Sequence, residues 1–311
     1  MTANNGQQSG FVSPIESVAV LSEDINWFAE LWAPALSLGQ GGSFIYVSAA
    51  TKSNNNQRCI WAGVPVWGKN ALQERAWFIT AKVKCDPRGV IDASPFYDPW
   101  SGKHYLYYKY DDNSVGQPSR IAVSELAADR VSLVPGTEQI LVQANDPSDW
   151  DGLVVEAPSM AYLPNATLPY VMLFSGSGYA GLSYATGIAY CLTPTTGCQY
   201  HWESGGGNPF LSTARTGEAG PGGAEWVVPG IPGNPLAIAY HSGVPPSQRI
   251  LRFRSVQVPC MSVSTQEPYC IGAAARGAPQ PGAAAAVSVG DVDPAFVATL
   301  PRPDWMPAPE S

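Results

Sequence analysis

Two carboxylates stand where charge is least expected. Asp92 follows two β-branched residues in "VIDASPFY" (90–97), and Glu156 follows two in "VVEAPSM" (154–160). Each precedes an alanine and a kink with proline, and each lies ahead of a turn and an apolar-aromatic run. Two carboxyl groups that face one space can divide acid–base work. A nearby negative charge and an apolar setting both raise a carboxyl pKa, so one group keeps its proton near neutral pH. Such a pair is the minimum needed to protonate a leaving oxygen and cleave a glycosidic bond.

The carboxylates belong to a repeat. Four stretches read alike: "LWAPALSLGQGGSFIYVSA" (31–49), "IDASPFYDPWSGKHYLYYK" (91–109), "VEAPSMAYLPNATLPYVMLFSG" (155–176) and "GAEWVVPGIPGNPLAIAYHSG" (223–243). Each has a strand start, a small or proline kink, a Gly/Pro/Asn turn and an apolar strand, which is a hairpin. Aligning Trp32, Asp92, Glu156 and Ala224 gives spacings of 60, 64 and 68 residues. Further short β-like runs follow the hairpins, such as "SRIAVSEL" (119–126) and "SYATGIAYC" (183–191). A unit of about four short strands, repeated, predicts an all-β propeller. The first strand of a blade lines the central channel, so equivalent positions of successive blades converge there.

The bulk composition agrees. The chain has 311 residues, only 14 % of them charged, with 31 Gly and 29 Pro. That is a turn-rich chain rather than a helical bundle. Seventeen basic against 25 acidic side chains give a net charge of −8. No basic stripe is present, so nucleic acid and anionic membrane are not expected partners. A neutral carbohydrate suits this charge, and we expect a monomer. No apolar run reaches the length of a membrane span.

Six cysteines occur, at 59, 85, 191, 198, 260 and 270, with no CxxC pair and no zinc-ligand spacing. The close pairs 191/198 and 260/270 fit small disulfide loops. With the glycosylation sequon at Asn165, they point to an extracellular setting, although "MTANNGQQSG" shows no apolar signal segment. "FSGSG" (174–178) is no nucleophile elbow, since no helical pattern follows it. "GSGYAG" (176–181) precedes β-like sequence and is no dinucleotide loop.

The segments "WAPAL", "IDASPFYD…GKHYLYYK", "VVEAPSM…LFSG" and "GPGGAEWVVPG…AIAYHSG…RILRFRSV" together resemble glycoside hydrolase family 43, in order from about residue 17 to 258. The resemblance implies a five-bladed β-propeller that hydrolyses arabinosyl or xylosyl linkages with inversion. It implies that Glu156 is the general acid and that Asp92 orients it and tunes its pKa. "YKYDDNSVG" (108–116) and "GPGG" (220–223) bring it nearer to the arabinanase- and arabinofuranosidase-like members. The family's general base is an Asp on the inner strand of blade one. Here "SPIESVAVLSEDINW" (13–27) resembles that blade's outer strands, and no matching inner strand precedes it. "GDVDPAFVATL" (290–300) reads like such a strand, with Asp293 in the base position. The first blade is therefore expected to be incomplete or closed by the C-terminal segment. The alternative function is a catalytically inactive propeller that only binds carbohydrate.

Domain limits follow from composition. Residues 1–271 form the propeller, and 272–311 form a low-complexity Ala/Gly/Pro linker and tail. Trp32, Phe96 and Tyr179 are candidates for stacking on sugar, with core packing as the other use of such aromatics. His241, in "AYHSG", reads as a strand-end histidine satisfied by its neighbours. Many family members hold a central calcium through a fifth-blade His, but "GPGGAEW" has none. No catalytic metal or other cofactor is expected.

Overall fold

The computed structural model describes residues 19–21, 31–37, 42–52, 57–65, 76–162, 168–200, 208–228, 236–244, 249–256, 259–261 and 268–270. They form 17 strands, one short helix at Thr213–Thr216 and a 3₁₀ turn at Asp112–Val115. The first sheet contains β2 (Leu31–Ser37), β3 (Phe44–Ala50), β4 (Arg58–Pro65) and β5 (Ala76–Cys85) in sequential antiparallel order. The second contains β6 (Val90–Tyr97), β7 (His104–Tyr110), β8 (Arg120–Leu126) and β9 (Gln139–Gln143). The third contains β10 (Val155–Tyr162), β11 (Tyr170–Gly176) and β12 (Ala185–Cys191); the fourth contains β13 (Gly222–Val228), β14 (Leu236–Ser242) and β15 (Ile250–Val256). A two-stranded hairpin, β16 (Pro259–Met261) and β17 (Pro268–Cys270), follows. The fold is a five-bladed β-propeller, and these four sheets are its described blades.

The middle strand of each blade explains the apolar runs. β3, β7 and β11 are buried almost throughout; β7 and β11 each lie between two other blades. Successive side chains point to opposite faces of a strand. Tyr105 and Tyr107 of β7 therefore pack with Met172 and Phe174 of the third blade. Leu106, Tyr108 and Tyr110 turn the other way and pack with Tyr46, Ile60 and Ala62 of the first. Val171 and Leu173 of β11 meet Ile238 and Tyr240 of the fourth. The core is thus a series of inter-blade layers, and each layer fixes one inner strand against the next.

β1 (Ala19–Leu21) corrects one expectation. Residues 13–27 read as outer strands of a preceding blade, but Ala19–Leu21 pair in parallel with Ala76–Phe78 of β5. They extend the outer edge of the sheet of β2–β5, where an unpaired ladder was available. The remainder of 13–27, the tail 272–311 with Asp293, and Asn165 lie outside the described residues.

Two disulfides link the described residues. Cys191–Cys198 closes the small loop expected from spacing. Cys59–Cys85 joins β4 to β5 at opposed positions of the ladder, a pairing that spacing alone did not suggest. The side chains of Cys260 and Cys270 are outside the description.

Candidate active site

The inner strands β2, β6, β10 and β13 share one irregularity. Their pairing slips between Trp32 and Ala35, Ile91 and Ser94, Glu156 and Ser159, and Gly222 and Glu225. Two residues there face one on the partner strand, which is a β-bulge, a device that re-aims side chains near functional sites. The first bulged residue has positive φ in each of these four strands: Ala33 (44°), Asp92 (58°), Ala157 (49°) and Gly223 (61°). The repeat therefore aligns 33, 92, 157 and 223. Asp92 is equivalent to Ala157, and Glu156 to Trp32, Ile91 and Gly222. The sequence alignment that equated Asp92 with Glu156 is off by one residue. Both remain at the bulge, so both carboxylates still arrive at one place.

At three of the four bulges the backbone N–H of the first bulged residue is satisfied by a side chain of the preceding blade. Asp92 N–H donates to Ser48 Oγ at 3.0 Å, and Gly223 N–H to Ser175 Oγ at 2.7 Å. Between these, Ala157 N–H donates to Asp92 Oδ2 at 3.0 Å. This last bond holds the Asp92 carboxylate beside the residue that carries Glu156. The Asp92 carboxyl is pushed up to about 6 from 3.8, by burial first and by the charge of Glu156 second, against the pull of Lys109 and the Ala157 N–H.

Glu156 has two donors. Lys109 Nζ donates to Oε2 at 2.9 Å and Tyr184 hydroxyl to Oε1 at 2.8 Å. Lys109 also pairs with Asp111 Oδ1 at 3.2 Å, and Arg58 Nη1 donates to Asp111 Oδ2 at 2.6 Å. Burial pulls the Lys109 ammonium down, but Glu156, Asp92 and Asp111 outweigh it and raise it above its ordinary value. The Tyr184 hydroxyl is held well above its ordinary value by burial and then by Glu156, so it stays a donor. The Tyr184 ring stacks on His241 with centroids 6.2 Å apart. His241 Nδ1 accepts from Arg249 Nε at 2.6 Å, and its pKa is lowered to about 4 by burial and then by Arg249. His241 is a satisfied neutral strand residue, as its context suggested.

The three aromatic candidates separate. Trp32 is at a bulge and 39 % exposed, with the Arg58 guanidinium 4.3 Å from its ring centre. Tyr179 is 60 % exposed on the loop after β11, which starts beside Ser175, the partner of Glu156; its carbonyl accepts from Arg249. Phe96 is not brought to the carboxylates. It lies four residues along β6 from Asp92 and packs edge-on against Tyr107 and Tyr170, at 6.2 and 6.3 Å, in the layer between the second and third blades. Lys109, Tyr184 and Asp111 escaped the sequence reading. A lysine inside "HYLYYKY" was the available signal, since a charge in a buried strand demands partners. Tyr184 carried none. Among the described residues, no group of three or more His, Cys, Asp and Glu side chains is placed to hold a metal.

Paired carboxyl groups facing one space are what acid–base cleavage of a glycosidic bond needs. The family model of glycosyl hydrolases family 43 matches residues 13–255, and the chain belongs to that family. Solved structures of similar fold include a thermostable family-43 glycoside hydrolase (23 % identity, 81 % of this chain and 78 % of that one, TM-score 0.60). They also include an α-L-arabinofuranosidase from Lactobacillus brevis (20 %, 81 % and 77 %, TM-score 0.57). A third is an endo-1,4-β-xylanase from Bacteroides thetaiotaomicron (18 %, 82 % and 79 %, TM-score 0.56). Among curated proteins, no sequence matches this chain.

Proposed function

We propose that this chain hydrolyses the glycosidic bonds of arabinose- or xylose-containing polysaccharides or oligosaccharides, with inversion. The observation that carries this is the joining of Asp92 to the Glu156–Ala157 peptide across two neighbouring inner strands. Glu156 protonates the leaving oxygen. Asp92 holds the strand that bears Glu156 and places a second carboxyl beside the acid. Water attacks the anomeric carbon from the opposite face, on a base about 6.5–9.5 Å from the acid. Asp293 is the candidate base, placed by its sequence context alone. Trp32 and Tyr179, both exposed near the acid, offer faces for sugar. The two disulfides support an extracellular setting, and the acidic balance supports a neutral carbohydrate partner.

A second reading, a propeller that binds carbohydrate without turnover, is favoured by one observation. The four described bulges bring only two acids, Asp92 and Glu156, to the site. One experiment decides between them. The protein is incubated with aryl arabinofuranosides and aryl xylosides, and the anomer first released is read by proton NMR. Turnover with inverted product supports the hydrolase; binding by calorimetry with no release of aglycone rejects it.

A further inference from the structure

We infer that Lys109 is a positioning residue for the acid: its ammonium orients Glu156 and sets the proton affinity of the Glu156–Asp92 pair. The inference rests on the hydrolase reading above. The observation behind it is the register of the blades. Ser48, Lys109, Ser175 and His241 are the residues opposite the last regular position of each inner strand. In the first and third blades that position is a serine whose hydroxyl takes the bulge N–H of the next blade. A serine at 109 would serve Ala157 N–H in the same way. Instead the second blade buries a lysine, 1 % exposed, and the N–H is taken over by Asp92.

Burying an ammonium is costly unless it is paired, and this one serves no bulge. Its geometry is spent on Glu156, at 2.9 Å, and on Asp111, at 3.2 Å. Asp111 is anchored in turn by Arg58, the cation over Trp32. The chain Glu156–Lys109–Asp111–Arg58–Trp32 thus ties the acid to an exposed aromatic. The charged and titratable groups around the ammonium are Glu156 from β10, Asp92 from β6 and Asp111 after β7. Beyond Glu156 stand Tyr184, His241 and Arg249, and beyond Asp111 stands Arg58. The ammonium pairs with Glu156 directly and pulls the Asp92 carboxyl down against burial, so it fixes the orientation of the acid and opposes proton retention at its carboxylate neighbour.

The test compares the wild-type chain with Lys109→Met and Lys109→Arg. Two quantities are read: the pH dependence of kcat and KM on an aryl arabinofuranoside or xyloside, and the carboxyl titration of Asp92 and Glu156 by 13C NMR. Lys109→Met is expected to raise the titration midpoints and move the alkaline limb of kcat/KM up by about one pH unit. It is expected to lower kcat about tenfold or more with little change in KM. Lys109→Arg, which keeps the charge, restores the midpoints and the limb. Unchanged midpoints in Lys109→Met, with the loss following Tm alone, would reduce Lys109 to a packing role and overturn the inference. Should Lys109→Met fail to fold, Lys109→Ser carries the same measurements with the residue of the equivalent positions. Midpoints that shift in Lys109→Met, when the wild-type chain hydrolyses no glycoside, would sink the hydrolase reading while leaving the charge-setting role intact.

Discussion

At the scale of single residues, the site is a contest over protons. Asp92 and Glu156 share a buried space, and Lys109 is the cation between them and Asp111. Glu156→Gln keeps the shape and the acceptor for Lys109 but removes the transferable proton. It should cut kcat by about 10²–10⁴ with an unchanged circular dichroism spectrum and melting curve; wild-type turnover in this variant would refute the role of the acid. Asp92 gives a pH prediction. Its carboxyl titrates near 3.8 in the unfolded chain and about 6 in the fold, raised by burial and then by Glu156. The fold therefore binds more protons than the unfolded chain between those values, and stability from this group is lost as pH rises through that window. Asp92→Asn keeps an acceptor for Ala157 N–H and carries no charge. It should stabilise the protein at pH 7, by on the order of 2 kcal/mol, and not at pH 4. Thermal melts at the two pH values check this, and an equal effect at both would refute it. Activity should fall in the same variant, since the second carboxyl beside the acid is gone.

At the scale of the element, the bulge is the device that makes a site out of a repeat. A regular inner strand would alternate its side chains and bury every second one in an inter-blade layer. The bulge inserts one residue, re-aims Asp92 and Glu156, and leaves an N–H that only the neighbouring blade can satisfy. Non-glycine residues at positive φ cost roughly 1 kcal/mol each, so Ala33, Asp92 and Ala157 hold their shape against a local preference. The fourth blade uses glycine, and the space explains it. A Cβ at Gly222 would lie 2.1 Å from Tyr184 Cε1, and one at Gly223, φ +61°, would lie 2.4 Å from His241 Nε2. Gly222→Ala should therefore push Tyr184 off Glu156. We expect a loss of about 1–3 kcal/mol of stability and a drop in kcat beyond what lower stability explains. Melting temperature and kcat, measured below the melt, test the two effects separately.

At the scale of the molecule, the blades are held by inter-blade layers and, among the described residues, by two covalent links within blades. Cys59–Cys85 closes a separation of 26 residues and Cys191–Cys198 one of 7. By loop-entropy arithmetic they contribute about 3.5 and about 2.4 kcal/mol. Reduction under native conditions should lower the melting temperature, with Cys59→Ala/Cys85→Ala costing more than Cys191→Ala/Cys198→Ala. The reverse order would show that native-state strain, not loop length, decides. The first of these links is set in the sheet that carries Trp32 and Arg58, so its loss should also raise KM for a sugar that stacks on Trp32.

The sequence by itself determined the class of fold and the two carboxylates, and the physical reason is periodicity. A blade buries its middle strand on both faces, so "FIYVSAA", "HYLYYKY" and "YVMLFSG" must read as apolar runs. A charge behind two β-branched residues, one turn ahead of such a run, stands out, as Asp92 and Glu156 did. Composition also marked Cys191–Cys198, because short separations close easily. What only the tertiary structure decided is what depends on pairing across strands and blades. The true register of the repeat, 33–92–157–223, is written in backbone φ and not in residue type. Cys59 and Cys85 are far apart in the chain and opposed only in the ladder. Phe96 and Trp32 look alike as aromatics, yet one fills an inter-blade layer and the other is exposed beside Arg58. Lys109 and Tyr184 meet at Glu156 because separate blades converge there, and no local pattern along the chain encodes a convergence.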